Sequence, residues 1–372
     1  MSNPDDVLRP RTIDEVRQII SGHETVLPIG NGTKQGCCRS IGNGGDLVRP
    51  TVFSMSELSG IVEYQPSEFT FTALAGTSVA KIADVLKEKN QYLPFDPMLI
   101  DAGATIGGTI ASNAAGSGRF RYGGVRDFLL AVRLFAGDGT SIFVGAKVVK
   151  NSAGFDIPKL MVGSLGRLGV LTELTFKVFP IPPNQTTIQV SCHSHEEAIE
   201  RMSFAASSKW ELDSIDYRSA DSTIAFKVTG PEQSNQLIAN EVLEYFNGDA
   251  THVSSLEGDR YWTSVRELKF APPEAVIIRV PTTTSTFLEL VREIEDDPNV
   301  DMHLSCAGSL TLLALKFPGA ITRMDEVFRK LALSGLVFRG LATTTWLGER
   351  NARAIDDAIK QAMDPTNKFP DL

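Results

Sequence analysis

Asp101-Ala102-Gly103-Ala104-Thr105-Ile106-Gly107-Gly108-Thr109 and Ser112-Asn113-Ala114-Ala115-Gly116-Ser117-Gly118 stand at the centre of a glycine-rich run from Pro94 to Lys177. The run opens on Pro94-Phe95-Asp96-Pro97 and continues through Arg121-Tyr122-Gly123-Gly124. It closes on Gly163-Ser164-Leu165-Gly166-Arg167-Leu168-Gly169-Val170-Leu171-Thr172-Glu173. Glycine at this density, between apolar β-branched segments, lets backbone approach a ligand closely and adopt positive φ. Loops of that kind present bare N–H groups, which suit an anion such as a pyrophosphate. A set of tight turns in an ordinary sheet protein is the alternative, and the recurrence of the clusters argues against it.

Upstream of this run, Thr12-Ile13-Asp14-Glu15 fits a capping box, and Val16, Ile19 and Ile20 recur at helical spacing, which predicts a short helix ending near Gly22. Val26-Leu27-Pro28-Ile29 reads as a strand, and Gly30-Asn31-Gly32-Thr33-Lys34 as the turn leaving it. That turn is neither a P-loop, because no glycine directly precedes Lys34, nor the dinucleotide fingerprint, because position 35 is Gln. It is compatible with another kind of anion-binding turn. Two strands are expected at 61–64 and 69–73, then a helix capped by Ser78, strands at 129–136 and 141–144, a short helix at 158–161 and a strand at 170–178.

Three prolines within Pro180-Ile181-Pro182-Pro183 stop both helix and sheet and mark the domain boundary. Beyond them strand patterns at 275–281 and 309–317 alternate with amphipathic helices at 196–204 and 238–246, an α+β pattern compatible with a helix-covered antiparallel sheet. A final helix at 354–363 stops at Asp364-Pro365.

The composition bounds the function. The chain has 372 residues, 42% of them hydrophobic and 22% charged, enough for two domains with a substantial core. A net charge of -9 argues against a nucleic-acid partner. No apolar run is long enough to span a bilayer, and the acidic start Met1-Ser2-Asn3-Pro4-Asp5-Asp6 is no secretory signal, so a cytoplasmic location is expected. Cys37, Cys38, Cys192 and Cys306 show no C-x-x-C spacing, so no metal site or iron–sulfur cluster is expected on this polypeptide.

These motifs, in this order, resemble the vanillyl-alcohol oxidase and p-cresol methylhydroxylase (PCMH) superfamily of FAD-binding proteins. Pro28-Ile29-Gly30-Asn31-Gly32-Thr33 resembles its pyrophosphate loop, and Ala104-Thr105-Ile106-Gly107-Gly108 with Asn113-Ala114-Ala115-Gly116 its second flavin segment. The run from Gly163 to Glu173 resembles its third, in which the backbone of Gly169 and Val170 would face the flavin. A finer resemblance is to the FAD-binding subunits of bacterial glycolate oxidases. It is carried by Gly124-Val125-Arg126-Asp127-Phe128-Leu129-Leu130, Lys150-Asn151-Ser152-Ala153-Gly154-Phe155-Asp156, Leu160-Met161-Val162-Gly163-Ser164 and Lys360-Gln361-Ala362-Met363-Asp364-Pro365. The family's Asn-Pro-Gly near the end is replaced by Lys368-Phe369-Pro370-Asp371.

The resemblance implies an α+β fold: a two-subdomain PCMH-type FAD-binding domain (1–180), a Pro-rich linker (181–185), an α+β cap domain with an antiparallel sheet (186–340) and a C-terminal segment (341–372) returning to the FAD domain. It implies noncovalent FAD, since no histidine occurs at 28–34 or 101–124. The implied cofactor-binding residues are Ile29, Gly30, Asn31, Gly32, Thr33, Lys34, Pro97, Ala104, Thr105, Gly107, Gly108, Ser112, Asn113, Gly116, Tyr122, Gly169 and Val170. The implied partners are a small 2-hydroxy acid such as glycolate or D-lactate, a larger flavin subunit and an iron–sulfur subunit, with at most peripheral membrane association through them. The implied reaction is hydride transfer from the hydroxy-acid carbon to flavin, with electrons passed to the iron–sulfur partner. A mainly non-catalytic FAD-containing assembly subunit and a stand-alone FAD oxidase are the alternatives.

Oxidation of a 2-hydroxy acid needs an open flavin face, a cation for the carboxylate and a base for the hydroxyl proton. Arg279, an isolated charge in the apolar strand Ile277-Ile278-Arg279-Val280-Pro281, is the candidate cation or else an outward residue of an alternating strand. His303, in Met302-His303-Leu304-Ser305-Cys306, is the candidate base or else an ordinary strand-end histidine. Thr105 either meets a phosphate or ribose oxygen or caps a turn. Arg126 beside Asp127 reads as a structural ion pair.

Overall fold

The computed structural model describes residues 7–38, 50–146, 155–294, 297–317, 319–340, 342, 344–350 and 352–371. The chain forms two units, the first comprising Met1–Ala115, Gly124–Pro180 and Ala352–Leu372, the second Gly116–Gly123 and Ile181–Asn351. The acidic start and the Lys150–Gly154 part of one motif lie outside the described residues.

The first unit opens with α1 (Ile13–Gly22), where Thr12 Oγ1 accepts from Glu15 N and the Glu15 carboxylate accepts from Arg11 N. Val16 and Ile20 of α1 pack with Val26 of β1 (Val26–Ile29) and Phe53 of β2 (Thr51–Ser54). These two strands pair in parallel. There follow β3 (Ile61–Gln65), β4 (Thr70–Leu74), α2 (Val79–Lys87), β5 (Gln91–Tyr92) and α3 (Ile106–Ser112). After α4 (Arg119–Tyr122), which clusters with the second unit, come β6 (Leu129–Phe135), β7 (Ser141–Gly145), α5 (Ile157–Met161), β8 (Val170–Lys177) and β9 (Phe179–Pro180). Five of these strands make an antiparallel sheet in the order β3-β4-β8-β6-β7. Its Phe71 and Phe176 are almost completely buried and stack at 5.5 Å. Burying one such ring stabilises the fold by about 1.5–3 kcal/mol.

The second unit is built on β10 (Asn184–Ser191), α6 (His195–Ser207), β11 (Ser214–Arg218), β12 (Thr223–Gly230), α7 (Glu232–Tyr245), β13 (Ala250–Val253) and α8 (Ser255–Arg266). It continues with β14 (Val276–Pro281), α9 (Thr284–Ile294), β15 (Val300–Ser305), β16 (Leu310–Leu315), α10 (Ala320–Lys330), β17 (Ser334–Arg339) and β18 (Trp346–Gly348). The strands form one nine-stranded antiparallel sheet, β13-β10-β12-β11-β15-β16-β14-β17-β18. Side chains alternate between its faces. Ile224, Phe226, Ile278 and Leu313 join the core under α6, α7, α9 and α10, whereas Ala225 packs on the other face with Tyr261, Trp262 and Val265 of α8.

Two local expectations change. Asn184 and Gln185, assigned to the linker, pair with Gly230 and Thr229 as the start of β10, so only Ile181–Pro183 lies between β9 and β10. The segment from Gly116 to Gly123, placed by sequence in the first domain, clusters with the second unit, because Ser117 bonds Asp216 and Tyr122 Oη donates to Asp213 Oδ1 at 2.7 Å.

The chain returns to the first unit through α11 (Arg353–Met363). Asp364, fully buried, accepts from Lys360 Nζ, Lys368 N and Phe369 N. Lys360 Nζ also donates to Arg167 O and Phe369 O, and Lys368 O accepts from Val26 N at 2.8 Å, beside β1. Burial lowers the Lys360 pKa, against the pull of Asp364. Removing one partner of a buried pair leaves the other charge uncompensated. Asp364→Ala is therefore expected to cost about 3 kcal/mol or more in urea unfolding of the full chain; a loss under about 1 kcal/mol, the scale of a surface pair, would show that the ion pair does not hold this segment.

Candidate functional site

The loop after β1 and the start of α3 form the floor of a cleft in the first unit. Thr105 is the N-cap of α3, and its Oγ1 accepts from Gly108 N at 3.2 Å. Ile106 N and Gly107 N donate to Thr77 O and Ala75 O at 2.9 and 2.8 Å. The N–H groups at the start of α3 are thus already engaged, and the segment read from sequence as ligand-facing loop is a helix. Glycine in a helix costs about 1 kcal/mol relative to alanine. The reason for Gly107 is close packing: a Cβ there would lie 2.8 Å from Ala75 Cβ and Ala75 O.

The open donors are upstream. Among the described residues, Asn31, Gly32 and Thr33 have no hydrogen-bond partner for their backbone N–H groups. Gly32 has φ +69, the left-handed conformation that turns successive N–H groups toward one anion. Asn31 Nδ2 ties the loop to Gly103 O at 3.3 Å. Lys34, nearly buried, donates from Nζ to Thr33 Oγ1 at 3.1 Å. A Cβ on Gly30 would lie 2.3 Å from Thr105 Oγ1, so only glycine lets the loop settle on the α3 cap.

Two adjoining hollows follow, of about 460 and 370 Å³ counting the open space at their mouths, sharing Pro28, Ile29, Gly30, Thr105, Gly108 and Ala111. Of the residues expected to bind the cofactor, Ile29, Gly30, Asn31, Gly32, Thr33, Lys34, Thr105, Gly107, Gly108, Ser112 and Gly169 line them. The other expected residues sit elsewhere. Ala104 is fully buried behind the wall, Asn113 is the left-handed C-cap of α3, and Pro97 bridges Ala115. Val170 is fully buried in the core with Val16 and Ile20, while Gly116 and Tyr122 belong to the second unit. Met55, Ala75, Ala111 and Leu171 line the cleft without any motif to announce them, whereas Ser164, Leu165 and Gly166 stand inside one that was recognised.

Cys37 and Cys38 close one wall. Burial raises the Cys38 pKa, outweighing the attraction of Lys34 and Arg167. Burial also lowers Arg167 to about 10. Asp127, expected to pair with Arg126, accepts from Gly124 N at 2.8 Å instead.

The candidate catalytic residues lie in the second unit. Arg279 and His303 are the cross-strand partners of Leu312 on its two sides, so both project from one face of the sheet. The Arg279 guanidinium lies 5.4 Å from the Phe338 ring centroid. His303 is fully buried, with rings of Phe270 and Tyr261 at 5.3 and 6.5 Å. Its Nε2 donates to Asp216 Oδ2 at 2.8 Å. Asp216 also accepts from Ser117 Oγ, from Ser305 Oγ at 2.9 Å and from Cys306 N at 3.2 Å. His303 Nδ1 and Tyr261 Oη have no partner among the described residues. Burial keeps His303 out of reach of a dissolved substrate in this conformation. His193, Glu197 and Asp249 approach one another at metal-ligand distances. The Arg201 guanidinium already bonds both carboxylates, so the charge balance there needs no metal.

Residues 4–145 match the family described as a FAD binding domain, and FAD is the cofactor of this domain. The first unit therefore carries a FAD binding domain. Among curated relatives, it is 39% identical over 156 residues to the glycolate oxidase subunit GlcE of Escherichia coli (strain K12), 42% of this chain and 43% of that one. It is 30% identical over 208 residues to the glycolate oxidase subunit GlcD of Bacillus subtilis (strain 168), 54% of this chain and 43% of that one. A D-lactate dehydrogenase of Anaerostipes hadrus is 27% identical over 200 residues, 53% of this chain and 41% of that one. The matches span less than half the length of these relatives. The fold is similar to that of an alkyldihydroxyacetonephosphate synthase, with a TM-score of 0.69 at 13% identity, covering 98% of this chain and 76% of that one.

The donor set fits FAD: three open N–H groups and an ammonium for a diphosphate, beside apolar walls for the rings. Overpacking costs about 1–3 kcal/mol, up to a hundredfold in affinity. Gly30→Ala is accordingly expected to weaken FAD binding about tenfold or more, read as flavin absorbance per protein after gel filtration. Adding Thr105→Ala removes the clashing oxygen and should recover part of the flavin; equal flavin content in Gly30→Ala and the parent would refute the packing argument.

Proposed function

We propose that this chain is a FAD-dependent oxidoreductase subunit acting on the CH–OH group of a small 2-hydroxy acid, with glycolate and D-lactate as the leading substrates. The observation that carries the reading is the run of open N–H groups at Asn31–Thr33, joined to similarity to glycolate oxidase subunits and a D-lactate dehydrogenase. Bound FAD supplies a two-electron acceptor. The Asn31–Thr33 backbone and Lys34 hold its diphosphate, Thr105 fixes the helix beneath it, and the glycines at 30, 107 and 169 let the surrounding chain pack closely against Thr105, Ala75 and Leu134. FAD is held noncovalently, and electrons leave through a larger flavin subunit and an iron–sulfur subunit of the same assembly. No helix among the described residues is long and apolar enough to cross a membrane, in keeping with at most peripheral attachment through those partners.

Arg279 is the proposed anchor for the substrate carboxylate, as a guanidinium offers two parallel donors to its oxygens. His303 is given a different part: fully buried, it bonds Asp216 and thereby holds β11, β15 and the Gly116–Gly123 segment together. That burial favours a second reading, in which the subunit binds FAD for assembly while a larger relative oxidises the acid.

Anaerobic titration of the purified chain with glycolate or D-lactate separates the two. Flavin bleaching supports the dehydrogenase, bound flavin that stays oxidised supports the assembly subunit, and absence of flavin overturns both. If the chain is active, Arg279→Met should raise KM about tenfold or more, the loss of one charged hydrogen bond, at unchanged flavin content. His303→Gln should lower the unfolding midpoint while leaving KM alone. Acid precipitation should release the flavin into the supernatant; yellow colour retained in the pellet would refute noncovalent binding.

A further inference from the structure

The outer faces of α6 and α7 carry aromatic surface that the core of the second unit does not absorb. Phe204 is 38% exposed and Tyr245 53%, and their rings stack with centroids 4.2 Å apart and planes 7° from parallel. Trp210 meets both edge-on, at 5.5 and 5.6 Å. Its Nε1 donates to Glu241 Oε2 at 3.1 Å, and Lys209 Nζ donates to Glu241 Oε1 at 3.0 Å. With Ser208 and Glu244 these residues line an open cleft of about 830 Å³, counting its mouth. Leu237, 67% exposed, lies one turn before Glu241 on α7, and exposed Glu200 one turn before Phe204 on α6.

The chemistry of this cleft is lopsided. Its floor is aromatic, its lining holds Glu241, Glu244 and Lys209, and the Lys209 ammonium is engaged by Glu241. Stacked aromatic faces beside carboxylates favour a planar cation, which gains from both the ring quadrupole and the opposite charge. An acidic or phosphate-bearing partner would meet like charge. Tyrosine and tryptophan are enriched at protein interfaces, where arginine is the preferred basic anchor. Exposed apolar surface rimmed by polar groups marks interaction sites.

We propose that the α6–α7 cleft docks a basic segment of a partner protein by receiving an arginine side chain. The guanidinium lies over the Phe204–Tyr245 stack, Glu244 faces its charge, and apolar side chains flanking the arginine cover Leu237. The site is independent of the FAD cleft and of whichever reaction the flavin supports.

The test titrates the full FAD-loaded chain by calorimetry with a short helical peptide bearing arginine on one face, against the same peptide with citrulline, which keeps the shape and loses the charge. Saturable binding of the arginine peptide is expected, with the citrulline peptide weaker by about tenfold or more. Glu244→Gln, at an exposed position, should weaken the arginine peptide severalfold, and Tyr245→Ser more, both at unchanged flavin content. No binding, equal binding of the two peptides, or full affinity in Glu244→Gln each overturns the proposal. So does concentration-dependent self-association that Tyr245→Ser abolishes, since the cleft would then belong to a second copy of this chain.

Discussion

The contact of Gly30 with Thr105 is the constraint on which the cofactor cleft rests. Strand β1 must deliver its loop onto the capped end of α3, and the 2.3 Å that a Cβ would leave to Thr105 Oγ1 admits only a hydrogen at that Cα. With the two in contact, the division of labour between the segments is fixed. The start of α3 gives its N–H groups to Ala75 and Thr77 and becomes a rigid floor. The loop above it, turned by left-handed Gly32, keeps its N–H groups for a ligand. Rigidity and open donors are thus supplied by different pieces of chain, which is how a site can be firm without satisfying itself.

The second unit solves a different electrostatic problem. Asp216 is a carboxylate with no solvent exposure, a costly placement unless its oxygens are filled. Ser117, His303, Ser305 and the Cys306 amide fill them. One of those donors comes from the segment Gly116–Gly123, far away in sequence, and Asp213 holds Tyr122 of the same segment. Tyr122, named among the cofactor-binding residues, places its hydroxyl on this carboxylate.

Sequence made the architecture legible where local chemistry repeats. The Thr12 and Ser78 caps, the β3–β4 and β6–β7 hairpins, the helix before Asp364 and the antiparallel second domain follow from spacing and turn residues. The glycine motifs pointed to FAD, in agreement with the domain match, and most of the residues in them named as binding it line one cleft. The signal ran out where contacts join distant residues or where glycine conceals the element. A run holding Gly107 and Gly108 looks like loop because glycine disfavours helix, yet Gly107 permits close approach to Ala75 and Gly108 to Thr105. Parallel pairing of β1 with β2 leaves no periodic trace. Asp216 and His303 stand 87 residues apart, and no spacing rule predicts that they meet. Met55 and Ala75 enter the cleft by packing alone.

The return of the C-terminal segment has a consequence for synthesis. Residues 181–351 are an insertion within the first unit, and the Lys360–Asp364 knot docks beside β1 only after that insertion has been made. Domains fold as units while the chain emerges from the ribosome. Here the nine-stranded sheet has all its strands available first, while α1, β1 and the loop at 30–34 wait, paired with β2 and without Lys368 and Phe369. The strand that leads into the 30–34 loop thus gains its bond to Lys368 only after the whole of the second unit has emerged.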